Sequence, residues 1–85
     1  MNEAQALQVC GCFASGLDVG FYIGKKYYCI HESEVYEHEL SITEDVSSDK
    51  ETILYFGVAD VSVNGGSLVI DLYDFQMRID LEEGA

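Results

Sequence analysis

Proline and tryptophan are absent from the sequence, and only four of its 85 residues are Lys or Arg. No segment is of low complexity, no repeat is visible, and no apolar run approaches the roughly 18 residues that a membrane span needs. The shortage of cations argues against direct binding to DNA or RNA phosphates, which takes clustered Lys and Arg. What remains is the composition of one small folded domain, residues 1–85.

The three cysteines do not indicate disulfide bonds. Cys10, Cys12 and Cys29 are an odd number at spacings that do not form a disulfide framework. The first residues lack the basic region and the long apolar core of a signal peptide. We therefore expect a reducing, cytoplasmic setting for this chain.

Acidic residues dominate the charge. Sixteen Asp and Glu give a formal net charge of −12, whereas a typical small domain carries a net charge of magnitude about 2–8. Such an excess destabilises the fold through self-repulsion, and it favours rejection of nucleic acid and membranes and rapid capture of a basic partner.

The N-terminal segment, residues 2–16, is compatible with two structures. Asn2 is a typical helix cap and Gly16 a typical helix end, and apolar residues recur at helical spacing between them. The competing structure is a strand with alternating apolar residues, and Gly11 costs a helix roughly 1 kcal/mol relative to Ala. We favour the helix.

Strand patterns fill the middle of the chain. Residues 18–23 and 27–31 are aromatic and β-branched, and they are joined by a turn at Gly24. Residues 36–43 alternate between apolar and polar side chains, which predicts a strand; a short helix over 34–40 is the alternative.

Strand patterns continue to the end of the chain. Residues 52–56 are a strong β run, and Gly57 with the following change of phase predicts a bulge or bend. The sequence at 64–66, Asn-Gly-Gly, predicts a tight hairpin turn. A second change of phase predicts a bulge or turn at 71–74, because a period of two cannot shift without an extra residue.

Short sequential strands joined by tight turns predict a mostly β fold, with α+β as a possible class. We expect an antiparallel β meander curled into a small sheet or barrel, with an N-terminal helix or an extra strand. The last residues, from Glu82, are expected to fray.

Two pairs of potential metal ligands, Cys10 with Cys12 and Cys29 with His31, offer three thiolates and an imidazole, a set that zinc accepts. Structural zinc sites usually place two or more residues between paired cysteines, and a helix would point Cys10 and Cys12 in different directions. Small cysteines commonly fill a core as modest hydrophobes. We therefore assign no metal and no other cofactor.

The remaining catalytic and metal-binding patterns are incomplete. A cysteine with His31 or His38 lacks a third group to orient the pair, so we assign no catalytic residue and expect no enzyme activity. Residues 45–51 match the first ligand spacings of an EF-hand calcium loop. Lys50 stands where that loop needs Gly, however, and Phe56 stands where it needs Glu.

The middle of the chain concentrates acidic residues, and only Lys50 compensates them. Alternate strand positions lie roughly 6.6–6.8 Å apart, so Glu37 and Glu39 are expected to form a regular negative row that the following acids extend. A charged row is usually the wet face of a sheet, but the total of −12 favours a row that imitates a phosphate track, with Tyr36 and Tyr55 as aromatic contacts. The predicted partner-binding residues are Glu32, Glu34, Tyr36, Glu37, Glu39, Glu44, Asp45, Asp49 and Glu51.

The segment 31–51, HESEVYEHELSITEDVSSDKE, on a β framework in a short chain resembles the small acidic inhibitors encoded by bacteriophages. These include anti-CRISPR and anti-restriction proteins and the uracil-DNA glycosylase inhibitors. The resemblance is one of size, charge and architecture, without a matched family motif. It implies a phage-encoded DNA mimic in the host cytoplasm that blocks a nucleic-acid-binding surface of a host defence complex.

Two hypotheses for function follow. The first is a non-catalytic inhibitor that binds the basic surface of a nucleic-acid-handling complex of the CRISPR effector type, without contacting nucleic acid or membrane itself. The alternative is a small structural or assembly module, a homodimer or complex subunit, that uses an exposed strand edge or an aromatic face.

Overall fold

A computed structural model describes residues 1–44 and 53–82 and contains one helix and six strands in this part of the chain. No helix within the described ranges is long and apolar enough to span a membrane. The elements are α1 (Glu3–Ala14), β1 (Val19–Ile23), β2 (Lys26–His31), β3 (Glu39–Thr43), β4 (Ile53–Asn64), β5 (Ser67–Leu72) and β6 (Gln76–Asp80).

Each strand pairs in antiparallel fashion with the next strand along the chain, so the sheet order is β1-β2-β3-β4-β5-β6. The sheet curls into a half-barrel, and α1 packs on its concave side against β1 and β4. The predicted fold class, a mostly β antiparallel meander with an N-terminal helix, is confirmed.

The helix is specified by local signals at its N-terminus. The side chain of Asn2 accepts a hydrogen bond from the backbone N–H of Gln5, and the side chain of Gln5 accepts one from the N–H of Asn2. This reciprocal capping box satisfies two backbone donors that have no partner within the helix. The helix buries Ala6 and Val9 against the sheet, and the alternative of a strand over 2–16 is wrong.

The turn predicted at 64–66 is a two-residue connection in which Gly65 and Gly66 have φ of 60° and 78°. Two successive residues with positive φ match the right-handed twist of the flanking strands, and glycine reaches this region without strain. The turn joins β4 to β5 in the register Asn64↔Ser67, as the sequence predicts.

Strand β4 changes partner at its middle. Residues 53–57 pair with β3, whereas residues from Val58 onward pair with β5, and the register shifts between Val58 and Asp60. The predicted bulge or bend after Gly57 is therefore confirmed. It lets one long strand belong to both halves of the curled sheet.

The strand predicted over 36–43 begins only at Glu39, and the segment before it is neither strand nor helix. The hydroxyl of Ser33 accepts hydrogen bonds from the backbone N–H groups of Val35 and Tyr36, at 3.1 and 3.4 Å. Such local hydrogen bonds compete with the backbone hydrogen bonds of strands and helices. Both predictions for residues 34–38 are therefore wrong.

The core lies between α1 and the concave side of the sheet. Alternate residues of each strand point inward, so β2 contributes Tyr28 and Ile30 while Tyr27, Cys29 and His31 lie on the convex side. The largest fully buried side chains are Ile30, Leu40, Val58, Leu68 and Ile70.

Candidate partner-binding surface

Two connections on opposite sides of β4 converge at its bend. Residues 32–38 join β2 to β3, and residues 73–75 join β5 to β6. The carbonyl of His38 accepts a hydrogen bond from the N–H of Val58 at 2.9 Å, and the carbonyl of Gly57 accepts one from the N–H of Tyr73 at 3.3 Å. We call the exposed residues of these two connections the bend surface: Glu32, Glu34, Val35, Tyr36, Glu37, Tyr73, Asp74 and Phe75.

Two tyrosines pack at the centre of the bend surface. The ring centroids of Tyr36 and Tyr73 lie 5.8 Å apart, with an angle of 31° between the ring planes. Both rings cover Gly57, since a Cβ atom at that position would lie 2.5 Å from an atom of each ring. The glycine at the bend of β4 thus allows the tyrosines of two separate connections to meet.

Four carboxylates are close neighbours of these two tyrosines in the sequence. Glu32, Glu34 and Glu37 flank Tyr36, Asp74 follows Tyr73, and all four are exposed. None of the four forms an ion pair with a described cation. Phe75 follows in the same connection; it is 46% exposed and makes an edge contact, at a centroid distance of 5.3 Å, with Phe56, whose side chain points to the concave side of the sheet.

Glu39 and Glu44, two of the predicted partner-binding residues, have partners within the fold. The side chain of Glu39 is only 14% exposed; it accepts a hydrogen bond from the Ser33 hydroxyl at 3.2 Å and lies 3.6 Å from Nε2 of His31. Glu44 lies at the opposite end of β3 and forms an ion pair with Nζ of Lys26 at 3.1 Å. The hydrogen bond from Lys26 to Glu44 and the attraction between their charges raise the pKa of Lys26.

The regular negative row predicted along a strand is not formed, because Glu37 precedes β3 and Glu39 is occupied by internal partners. Glu32, Glu34, Tyr36 and Glu37 instead come together in one connection. Asp45, Asp49 and Glu51, together with the calcium-loop pattern at 45–51, lie outside the described residues.

Sequence reasoning missed Tyr73, Asp74 and Phe75 as members of this surface. The signal that locates their connection is the change of phase predicted at 71–74, which the structure confirms as the turn between β5 and β6. Their approach to Tyr36 could not be predicted, since it depends on β4 pairing with β3 on one side and β5 on the other.

The cysteines do not form one cluster. Cys10 and Cys12 belong to α1 on the concave side of the sheet, whereas Cys29 and His31 lie on its convex side. The described residues contain no group of three or more His, Cys, Asp or Glu side chains placed to hold a metal ion. Burial, followed by the charge of a nearby aspartate, raises the pKa of the Cys10 and Cys29 thiols, which lowers the fraction of reactive thiolate.

His38 is half-buried and packs against the ring of Phe13, with the ring centroids 4.6 Å apart. This contact ties the end of the 32–38 connection to α1.

A second aromatic surface lies on the convex side. Tyr22 and Tyr27 face each other across β1 and β2 with ring centroids 4.7 Å apart. The same convex face continues across β3 to Ile53 and Tyr55 of β4. We call Tyr22, Tyr27, Ile53 and Tyr55 the tyrosine face; three of them, Tyr22, Ile53 and Tyr55, are 65%, 40% and 58% exposed.

Comparison of the chain with protein-family models, with curated proteins and with solved structures finds no match.

Proposed function

We propose that this protein is a non-catalytic inhibitor that binds the basic, nucleic-acid-binding surface of another protein through the bend surface. One observation carries the proposal: four exposed carboxylates, none paired with a described cation, lie in the two connections that bring Tyr36 and Tyr73 together. Lys and Arg side chains that bind phosphates also bind carboxylates, so such a surface competes with nucleic acid.

The aromatic residues distinguish this surface from an ordinary solvated loop. A solvated loop needs no large apolar groups, yet Tyr36, Tyr73 and Phe75 are 36%, 61% and 46% exposed. Tyrosine is enriched among the residues that contribute most to protein interfaces, and surrounding acids would accelerate the approach of a basic partner. The combination supports a protein partner whose basic surface also has apolar area.

The partner class comes from the resemblance to phage-encoded inhibitors. A short acidic β protein of this kind would occupy the channel in which a CRISPR effector holds its guide–target duplex, which the effector lines with positive charge. The net charge of −12 provides long-range attraction to such a channel.

The test compares two charge-reversed variants of equal net charge. Glu34→Lys/Glu37→Lys changes the bend surface, while Glu3→Lys/Asp80→Lys changes two exposed acids near the 65–66 turn, at the far end of β4 from the bend. Binding of each protein to a panel of guide-loaded effector complexes is measured at low and physiological salt, together with inhibition of target cleavage. We expect the bend variant to bind at least about tenfold more weakly and to depend less on salt.

The control variant should bind within about twofold of the unchanged protein at physiological salt, because exposed charges beyond a Debye length of about 8 Å are largely screened. Equal weakening of both variants would mean that only net charge matters and would overturn the role of the bend surface. Failure of the unchanged protein to bind any complex in the panel would refute the assignment of this partner class.

A second candidate function, an assembly module, is favoured by the tyrosine face. Tyr22 and Tyr55 are each more than half exposed on the convex side of the sheet, and such surfaces often mark contacts between proteins. Light scattering at micromolar concentration tests this role. A dimer that persists at low salt and that Tyr22→Ser/Tyr55→Ser dissociates would support assembly; a monomer under all conditions would exclude a homodimer.

A further inference from the structure

The strand β1 forms one edge of the sheet, and a groove of about 320 Å³ separates it from α1. One wall consists of Met1, Gln5, Gln8 and Val9, and the other consists of residues 19–22. The bend surface lies elsewhere, at the middle of β4, so this groove is a separate feature of the molecule.

The lining residues show how the groove is oriented. Consecutive residues of a strand point to opposite faces of the sheet, so a groove that touches four of them in succession runs along the strand edge. On the helix, positions 5, 8 and 9 have the spacing of a single helical face, and Met1 precedes the helix cap on the same wall. The groove is therefore an open channel between a helix face and a sheet edge, and both walls run lengthwise.

The edge of β1 has unused backbone hydrogen-bonding groups. The pair Ile23↔Lys26 closes a two-residue turn, and the closing pair of such a hairpin exchanges its backbone hydrogen bonds. By alternation, Gly20 and Tyr22 direct their N–H and C=O groups away from β2 and toward the edge. Neither has a backbone partner in another described element.

The side chains around this edge leave room for a further strand. Gly20 has no side chain, and the ring of Tyr27 covers it from the convex side. Gln8 offers an amide from the helix wall, and Val9 and Phe21 provide apolar contacts. An extended peptide placed here would bond to the backbone of β1 and turn alternate side chains toward α1.

We propose that the groove between α1 and β1 binds an extended, positively charged peptide segment of a partner protein as an additional strand of the sheet. The charge of the chain selects this occupant, since a net charge of −12 attracts a basic segment. A second copy of the chain would bring an equal negative charge to the same edge, which opposes pairing of two β1 strands.

The first test uses a defined peptide, acetyl-Lys-Val-Lys-Val-Lys-Val-Lys-amide, in isothermal titration and amide hydrogen-exchange experiments on the full chain. Two analogues of identical charge carry N-methyl groups at the odd or at the even residues. Strand addition uses the amides on only one side of the peptide, so one analogue should lose at least about tenfold in affinity while the other binds nearly as well as the parent. Exchange of the Gly20 and Tyr22 amides should slow when the parent peptide binds.

Equal affinity of the parent and both analogues would show attraction by charge alone and would overturn the proposal. Equal loss by both analogues, or binding without protection of Gly20 and Tyr22, would also overturn it.

A matched pair of variants tests the helix wall. Gln8→Lys places a cation in the groove, whereas Leu7→Lys places the same charge on the opposite side of α1, where Leu7 is 54% exposed. We expect about a tenfold loss of peptide affinity for the first variant and less than about twofold for the second. A dimer that Gln8→Lys dissociates would assign the groove to a second copy instead. Peptide binding that persists in Glu34→Lys/Glu37→Lys separates this site from the bend surface.

Discussion

The two halves of β4 are both rich in apolar residues, yet they have opposite surroundings. In the first half, Leu54 points to the concave side of the sheet but is 38% exposed and lies outside the core cluster. In the second half, Val58 and Val61 are 2% and 7% exposed and pack with Ala6 and Val9 of α1. The comparison shows that cover by a neighbouring element, and not strand propensity, decides which apolar residues form the core.

The exposed half of β4 also borders the two candidate surfaces. Ile53 and Tyr55 contribute to the tyrosine face, and the bend that follows carries the bend surface. Stability is therefore concentrated around the second half of β4 and β5, while the first half provides surface for contacts with other molecules. Four predictions test this division.

The largest expected effect on stability comes from replacing a leucine by alanine in the buried region, compared with the same replacement in the first half of β4. Leu68 of β5 is fully buried beside the second half of β4, so Leu68→Ala should lower the free energy of unfolding by about 2–5 kcal/mol. Leu54→Ala should lower it by less than about 1 kcal/mol, since much of that side chain already contacts water. Urea denaturation of both variants measures the difference. Equal losses would mean that the first half of β4 is covered in solution.

The second prediction concerns glycine at the bend. Gly57→Ala forces the rings of Tyr36 and Tyr73 to move and should destabilise the fold by about 1–2 kcal/mol. The control, Gly11→Ala, adds a methyl group where nothing lies within 4 Å on the helix and should stabilise by about 1 kcal/mol. Chemical denaturation gives both values. If Gly57→Ala is neutral, the two rings are not held over the bend.

A third, smaller effect concerns the helix that covers the second half of β4. Asn2→Ala removes one half of the capping box and should cost about 1 kcal/mol. Asn2→Ser retains a capping oxygen, so its free energy of unfolding should stay within roughly a few tenths of a kcal/mol of that of the unchanged protein. Loss of helical circular dichroism at lower urea concentration would accompany the first variant; equal behaviour of the two would argue against the cap.

The smallest effect is a dependence on alkaline pH. The pKa values of Cys10 and Cys29 are raised above 9.0 chiefly by burial, that of Tyr27 is raised above 10.0 chiefly by burial, and that of Lys26 is raised above 10.5 by Glu44. The folded state therefore holds these protons more tightly than the unfolded chain. The resulting stability is present below pH 9.0 and is lost as pH rises through the raised values.

Urea midpoints measured from neutral pH upward should be constant at first and then fall. Cys10→Ala and Cys29→Ala separate the contributions of the two thiols to this pH dependence. The first removes the thiol on α1, and the second removes the thiol on the convex side of β2. A midpoint that rises with alkaline pH would contradict the direction of these shifts.

The helix and the hairpins could be predicted because their signals are local. Asn2 and Gln5 cap the helix within one turn, and the glycines at 65–66 provide the dihedral angles of their own turn. The bend after Gly57 was also visible, as a change of phase in the apolar pattern. By contrast, the alternation from Tyr36 onward is typical of a strand, but Ser33 and the packing of Tyr36 on a distant strand override it.

The candidate surface was predictable only in part. The acids around Tyr36 could be selected from their density along the chain, and four of the predicted partner-binding residues lie in one exposed connection. Their combination with Tyr73, Asp74 and Phe75 required the register of β4 with both neighbours. Which of the predicted acids have partners within the fold also depended on the tertiary structure, since Glu39 lies beside His31 and Glu44 pairs with Lys26.

By itself, the sequence determined the types of most elements, their order and the surplus of negative charge. These properties follow from backbone preferences over a few residues and from composition, which need no knowledge of distant partners. The tertiary structure alone decided which carboxylates have internal partners, which tyrosines meet at the bend and which strand has a free edge. Each of these depends on pairing between residues far apart in the chain, where curvature and register set the contacts.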